Sequence, residues 1–223
     1  GKFGRDIALL VGDALLFKGF TLLHEAVEKG IPAEKVADIV DIIKRTFFEL
    51  GDAEALEFQF RGRMDVTPEE YLRVVRKKAA DVEAHTRISA ILGGGTKDEI
   101  ENLGSYGRLL GMLIILGDDI TDTFDMKELR HRIKREHLPL PVLYALQNTQ
   151  TKPLLSPILK KERLSKKDAE KIFEITQKAG GFKRSSELMQ EMANDTYRYT
   201  KDLKLNRENL ILLTRAMLPS LST

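Results

Sequence analysis

Apolar residues recur along almost the whole chain at three- and four-residue intervals, the spacing of one helical face. The rhythm is already set near the start, at Ile7, Leu10, Val11, Ala14 and Leu15. No convincing stretch alternates apolar and polar residues, and no Asn-Gly or Asp-Gly pair marks a hairpin. The pattern predicts helices near 5–28, 33–50, 67–92, 97–123, 125–133, 141–149, 166–178, 181–203 and 206–218. Local punctuation agrees with it. Thr67-Pro68-Glu69-Glu70 reads as a capping box with proline at the first helical position. Thr96–Glu99 and Ser165–Asp168 repeat that signature. Gly30-Ile31-Pro32 and Gly93-Gly94-Gly95 break helices. Leu138–Pro141 restarts the chain in a new direction, and 149–157 is its loosest segment. With no repeat and no low-complexity linker, residues 1–223 read as one all-α domain.

Composition narrows the function classes. Of 223 residues, 42% are hydrophobic and 31% charged, enough for a proper core under a polar surface. The 36 basic and 34 acidic residues leave a net charge of +2, so nothing pulls the whole molecule toward nucleic acid or membrane. The absence of cysteine removes disulfides, thiolate nucleophiles and Cys-type zinc sites, and it fits a reducing cytoplasm. No uninterrupted apolar run approaches the roughly 20 residues that span a bilayer, and no signal peptide pattern opens the chain. The first residues are already in helical rhythm and carry no methionine. The expectation is that further residues of the natural protein precede Gly1.

One stretch asks for chemistry. Met112–Leu116 is apolar, and behind Gly117 come Asp118, Asp119, Asp122 and Asp125. Asp118 and Asp122 are four apart and share a helical face, where like charges repel. They also lie toward the helix C-terminus, where the dipole disfavours anions. A compensating cation is expected. Magnesium is suited to it, because it takes carboxylate oxygens and shares its other positions with water and substrate phosphates. The competing reading is a solvated helix end, since Asp-Asp-x-x-Asp also arises by chance.

The surrounding segments decide between the two. "FGRDIALLVGDALL" (3–16), "GDAEALEF" (51–58), "YLRVVRKKAADVEAHTRISAILGGG" (71–95), "YGRLLGMLIILGDDITD" (106–122) and "LPVLYAL" (140–146) stand in a specific order. Together they resemble the trans-isoprenyl diphosphate synthases, also called polyprenyl synthetases, over about residues 3–150. The resemblance implies a bundle of roughly ten helices around a central apolar cavity. It implies a magnesium-dependent prenyltransferase that ionises an allylic diphosphate of C5–C15 and adds isopentenyl diphosphate. Asp118, Asp119 and Asp122 are then metal ligands, while Lys77, Lys78 and His137 bind diphosphate. Lys77 takes the family's lysine position when the helix is registered from Gly93 backwards, and Lys78 when it is registered from Tyr71 forwards. A homodimer is the family's habit.

The chain also departs from the family pattern. The first aspartate-rich motif would lie upstream of Gly1. Ile114 and Ile115 replace the usual Phe-Gln. A basic segment carrying Arg130, His131, Arg132, Lys134, Arg135 and His137 replaces the loop with the late lysine. Those cations either reach diphosphate by another route or solvate a surface helix. The departures keep two other readings open: a non-catalytic regulatory subunit, and a class I terpene cyclase. His24, His85 and Asp13 read as structural residues. Met112 and Phe124 read as cavity or core wall, and Asp125 as the start of the next helix.

Overall fold

The computed structural model describes residues 3–203 and 206–218. Among them are eleven helices and no strands. The chain divides into two compact units, residues 1–45 and 46–223, with the boundary inside a helix.

The first unit holds α1 (Gly4–Glu28), a turn at Gly30 and the start of α2 (Ala33–Phe60). Gly30 adopts φ +90°, a conformation that side-chain-bearing residues rarely take, so the expected break falls there. None of the α1 side chains is buried, and Leu10, Leu15, Phe17 and Phe20 are all exposed. By length and composition α1 is apolar enough to cross a membrane, with a mean hydropathy of 1.6 in its best window. Asp6, Asp13 and Lys18 interrupt the run, so its apolar stretches each stay short of a bilayer span.

The second unit is built on α5 (Lys97–Phe124). Around it pack α3 (Pro68–Lys78), α4 (Ala80–Leu92), α7 (Leu140–Gln147) and α10 (Gly181–Thr200). Next to α5 in sequence is α6 (Met126–Arg135), which packs on α9 (Lys166–Lys178). The remaining two helices are α8 (Lys152–Leu159) and α11 (Arg207–Ala216). All three capping boxes form. Thr67, Thr96 and Ser165 each accept the N–H three residues on, and the acid at that position bonds back.

Three boundaries differ from the periodic reading. Helix α2 runs on to Phe60, through Gly51. The predicted 67–92 helix is two helices that meet at Ala79. The loose segment contains α8, because Pro153 lies in the first turn, where its missing N–H costs nothing.

The close fit of α4 on α5 comes from Gly104, Gly107 and Gly111, which share one face of α5. A Cβ on Gly104 would lie 2.3 Å from Arg87 Nε, and one on Gly107 would lie 2.8 Å from the Val82 carbonyl oxygen. On Gly111 it would meet Ala79, the residue at the α3–α4 break, at 2.8 Å. The core below is continuous from Val74 and Val75 of α3 through Leu113 and Leu116 to Leu140, Leu143 and Met189.

Candidate active site

The aspartates sit where α5 leaves the core. Leu113, Leu116 and Ile120 are buried and fix the helix rotation. That rotation turns Asp119 inward and leaves Asp118 and Asp122 outward, with Ile114 and Ile115 on their face one turn back. Ile114 is exposed, and Ile115 packs partly against the core.

Asp119 is 1% exposed and fully engaged. Its Oδ1 lies 2.6 Å from Arg132 Nη2, and its Oδ2 accepts the Leu140 N–H at 3.1 Å. Burial first, and then the Asp119 charge, pushes the Tyr71 phenol well above its ordinary range. Asp122 Oδ2 accepts from Arg132 Nη1 at 3.0 Å. Asp118 makes no hydrogen bond or ion pair within the described residues. Partial burial, then Asp122 and Asp119, raise its carboxyl above the usual range. Asp125 caps α6, as expected, by accepting from the N–H groups of Lys127 and Glu128.

Arg132 is the cation that the aspartates required, and it belongs to the chain. Leu129, Arg132 and Ile133 form the buried face of α6. Burial opposes the arginine's charge, but Asp119, Tyr71 and Asp122 outweigh it and push its pKa up. Its Nε is buried without a hydrogen bond and lies 3.6 Å from Glu136. Its Nη2 is 3.3 Å from His137 Nε2.

From His137 the polar network continues. The ring is buried and stacks on Tyr71 with centroids 4.8 Å apart. Its Nε2 lies 2.6 Å from Glu57 Oε1, and Lys78 Nζ donates to Glu57 Oε2 at 2.7 Å. Burial would raise the Glu57 carboxyl, but the bonds from His137 and Lys78 prevail and hold it at about 2. Two of the expected diphosphate ligands, Lys78 and His137, therefore meet on one carboxylate. Lys77 points elsewhere and donates to Asp52 at 2.5 Å. A pocket of about 260 Å³ opens beside Glu54, Glu57, Arg61, Lys78 and Glu136.

The other cations of α6 face away. Lys134 donates to the carbonyls of Leu159 and Lys161, Arg130 to that of Met126, and His131 lies 3.5 Å from Glu136. Of the basic segment, Arg132 alone contacts the aspartates among the described residues, and His137 lies behind it, against Arg132 and Glu57. The resemblance placed Glu54 and Glu57 at the polar positions of "GDAEALEF" without assigning either a partner, and it gave Tyr71 no role in the site. The signal for Glu57 was its place in "GDAEALEF", but its partner in α3 is twenty-one residues away.

Divalent-ion chemistry can be tested on the donor set. No group of three acidic or histidine side chains converges on a metal position among the described residues. Both oxygens of Asp118, and one oxygen of Asp122, are uncommitted, and that pair fits a hard cation completed by water and phosphate. Asp119 does not fit, because each of its oxygens already holds a donor.

The described residues are all-helical, with a carboxylate pair at the end of α5 beside the Glu57–His137–Lys78 network. Residues 1–176 match the polyprenyl synthetase family, and the chain belongs to that family. It is 33% identical over 174 residues to a short chain isoprenyl diphosphate synthase of Methanothermobacter thermautotrophicus, covering 78% of this chain and 49% of that protein. It is 30% identical over 207 residues to a geranylgeranyl diphosphate synthase of Sulfolobus acidocaldarius, covering 92% and 58%. Its fold superposes on the geranylgeranyl pyrophosphate synthetase of Pyrococcus horikoshii with TM-score 0.82 and 26% identity, over 96% of this chain and 67% of that one. The chain thus spans about half the length of the curated relatives it matches.

Proposed function

We propose that the protein is a prenyltransferase that condenses an allylic diphosphate of C5–C15 with isopentenyl diphosphate to give a short-chain trans-prenyl diphosphate. The observation that carries this reading is Asp118. It is an unpaired carboxylate with a raised pKa, beside Asp122, on the face of α5 that also bears Ile114 and Ile115. Membership of the polyprenyl synthetase family and the names of the relatives support it.

Asp118 and Asp122 would hold magnesium, which supplies charge to a diphosphate leaving group. Ile114 and Ile115 offer hydrocarbon contact one turn from those carboxylates. Lys78 and His137 are fixed by Glu57, and Lys77, less constrained, is the more available diphosphate contact. A homodimer is part of the proposal, since the exposed apolar residues of α1 supply surface that association would bury. A cytoplasmic site is supported by the lack of cysteine.

The test supplies the complete encoded protein with magnesium, labelled isopentenyl diphosphate and, in turn, C5, C10 and C15 allylic diphosphates, and sizes the extracted products. An elongated product that disappears with Asp118→Asn establishes the reading. No incorporation with any primer, from folded protein, overturns it in favour of a regulatory subunit or a terpene cyclase.

A further inference from the structure

We infer that Arg132 is a positioning residue that takes Asp119 out of the divalent-ion site and fixes Asp122, so that ion binding at this helix end rests on Asp118 and Asp122. The inference rests on reading the α5 end as a divalent-ion site, and it assigns the three aspartates unequal parts in it.

The geometry is that of an internal counter-ion. One guanidinium spans two carboxylates, with Nη2 at 2.6 Å from Asp119 and Nη1 at 3.0 Å from Asp122. The arginine side chain is 9% exposed and that of Asp119 is 2% exposed, so water does not compete for the contact. The second oxygen of Asp119 is held by the backbone N–H of Leu140, on another helix. A cation that took Asp119 would strip the buried guanidinium of its nearest and most buried carboxylate and leave it only Asp122 and Glu136, which are 37% and 42% exposed, an unfavourable exchange. Arg132 cannot give up its charge to escape that cost. Asp122 is held at one oxygen only, and its side chain is 37% exposed, so it keeps an oxygen for an external ion in a fixed rotamer. Asp118 keeps both.

The consequence is an asymmetry that the Asp-Asp-x-x-Asp spacing does not show. The middle carboxylate ties α5 to α6 and α7, while the flanking two face outward. Arg132 also stands between the aspartates and His137, so it sets where the Glu57–His137–Lys78 network lies relative to them.

The experiment is a Mn²⁺ titration followed by electron paramagnetic resonance, with and without inorganic diphosphate, and with melting temperature measured alongside. Asp118→Asn should weaken Mn²⁺ by about tenfold or more without loss of thermal stability, whereas Asp119→Asn should weaken it by less than about threefold and lower the melting temperature. Should Asp119→Asn fail to fold, the unaltered protein decides. In ¹⁵N-arginine spectra, a slowly exchanging guanidinium signal that is lost in Arg132→Lys should persist unshifted when Mg²⁺ and diphosphate are added. An Mn²⁺ loss in Asp119→Asn equal to that in Asp118→Asn, at unchanged melting temperature, overturns the proposal. So does a guanidinium signal that collapses on Mg²⁺ addition. Absence of Mn²⁺ binding by the unaltered protein up to millimolar levels instead removes the ion-site reading itself, and the inference with it.

Discussion

Two charged networks flank the same helix, and they differ in what they leave over. In the first half of α5, Arg108 grips Glu49 with both terminal nitrogens and Glu83 with its Nε. Arg87 likewise grips Glu101 with two nitrogens and Glu83 with a third. Every carboxylate in that set holds a guanidinium. At the other end one guanidinium serves Asp119 and Asp122, and Asp118 is left with none. The first network is closed and serves as scaffold. The second carries an anion in excess, held there by apolar packing that fixes the helix rotation. Residue types alone would not separate them, but the unpaired carboxylate does.

Opening the closed network should have the largest effect. Arg108→Met leaves Glu49 and Glu83 half-buried without their shared cation, and a loss of roughly 3 kcal/mol follows from removing one partner of such a set. For a chain of this length that lowers the melting temperature by about 10 °C. Mn²⁺ affinity should be unchanged in the folded protein. A fall in Mn²⁺ affinity matching that of Asp118→Asn would show the two networks to be one.

The converse substitution is next in size. Asp118→Asn should reduce product formation by about 100-fold or more, the order expected for one preorganised electrostatic group. Stability should not fall. It should rise by a few tenths of a kcal/mol as repulsion from Asp122 is relieved. A clear loss of melting temperature would place Asp118 in the scaffold and remove the basis of the comparison.

Glu57 sharpens the contrast through pH. Its carboxyl sits at about 2 in the folded protein against an ordinary 4.5, so the unfolded chain binds its proton first as pH falls. The stability that Glu57 contributes is complete above about pH 4.5 and is lost between there and pH 2, on the order of 2–3 kcal/mol. Urea unfolding across pH 2–6 should show this slope in the unaltered protein and a flatter one in Glu57→Gln. Equal slopes would mean that His137 and Lys78 do not hold this carboxylate.

Much of this was legible in the sequence, and the rest was hidden for physical reasons. The helices and their caps are local, and the Thr67, Thr96 and Ser165 boxes stand as read. The aspartate cluster was visible as an electrostatic oddity. What could not be read was which way each aspartate points, because that depends on the rotation of α5 against α3 and α7. Nor could Arg132 be told from its neighbours. Six cations crowd a short basic stretch, and the helical phase of α6 alone turns Arg132 inward with Leu129 and Ile133. The break at Ala79 was invisible as well, since alanine is a good helix former, and its close packing on Gly111 joins residues far apart in sequence.

The smallest effect separates two neighbours in sequence. Lys77 and Lys78 are adjacent and competed for one role, but α3 delivers them to different partners. Lys78 is bound to Glu57 at 2.7 Å and to Glu54 at 3.3 Å, and it lies against the buried network. Among the described residues Lys77 holds only Asp52, itself an exposed residue. Lys78→Ala should therefore destabilise by about 1 kcal/mol or more, because Glu57 loses a partner in a half-buried place. Lys77→Ala should cost under about 0.5 kcal/mol, the usual worth of an exposed pair. Substrate binding should rank the other way. Lys77 can leave Asp52 for a diphosphate at little cost, whereas Lys78 would have to strand Glu57. Steady-state KM for the allylic diphosphate, measured beside urea unfolding of both variants, checks the crossing. If Lys78→Ala raises KM more than Lys77→Ala does, the charged network around Glu57 opens to substrate, and it belongs with the unpaired end of α5 rather than with its scaffold.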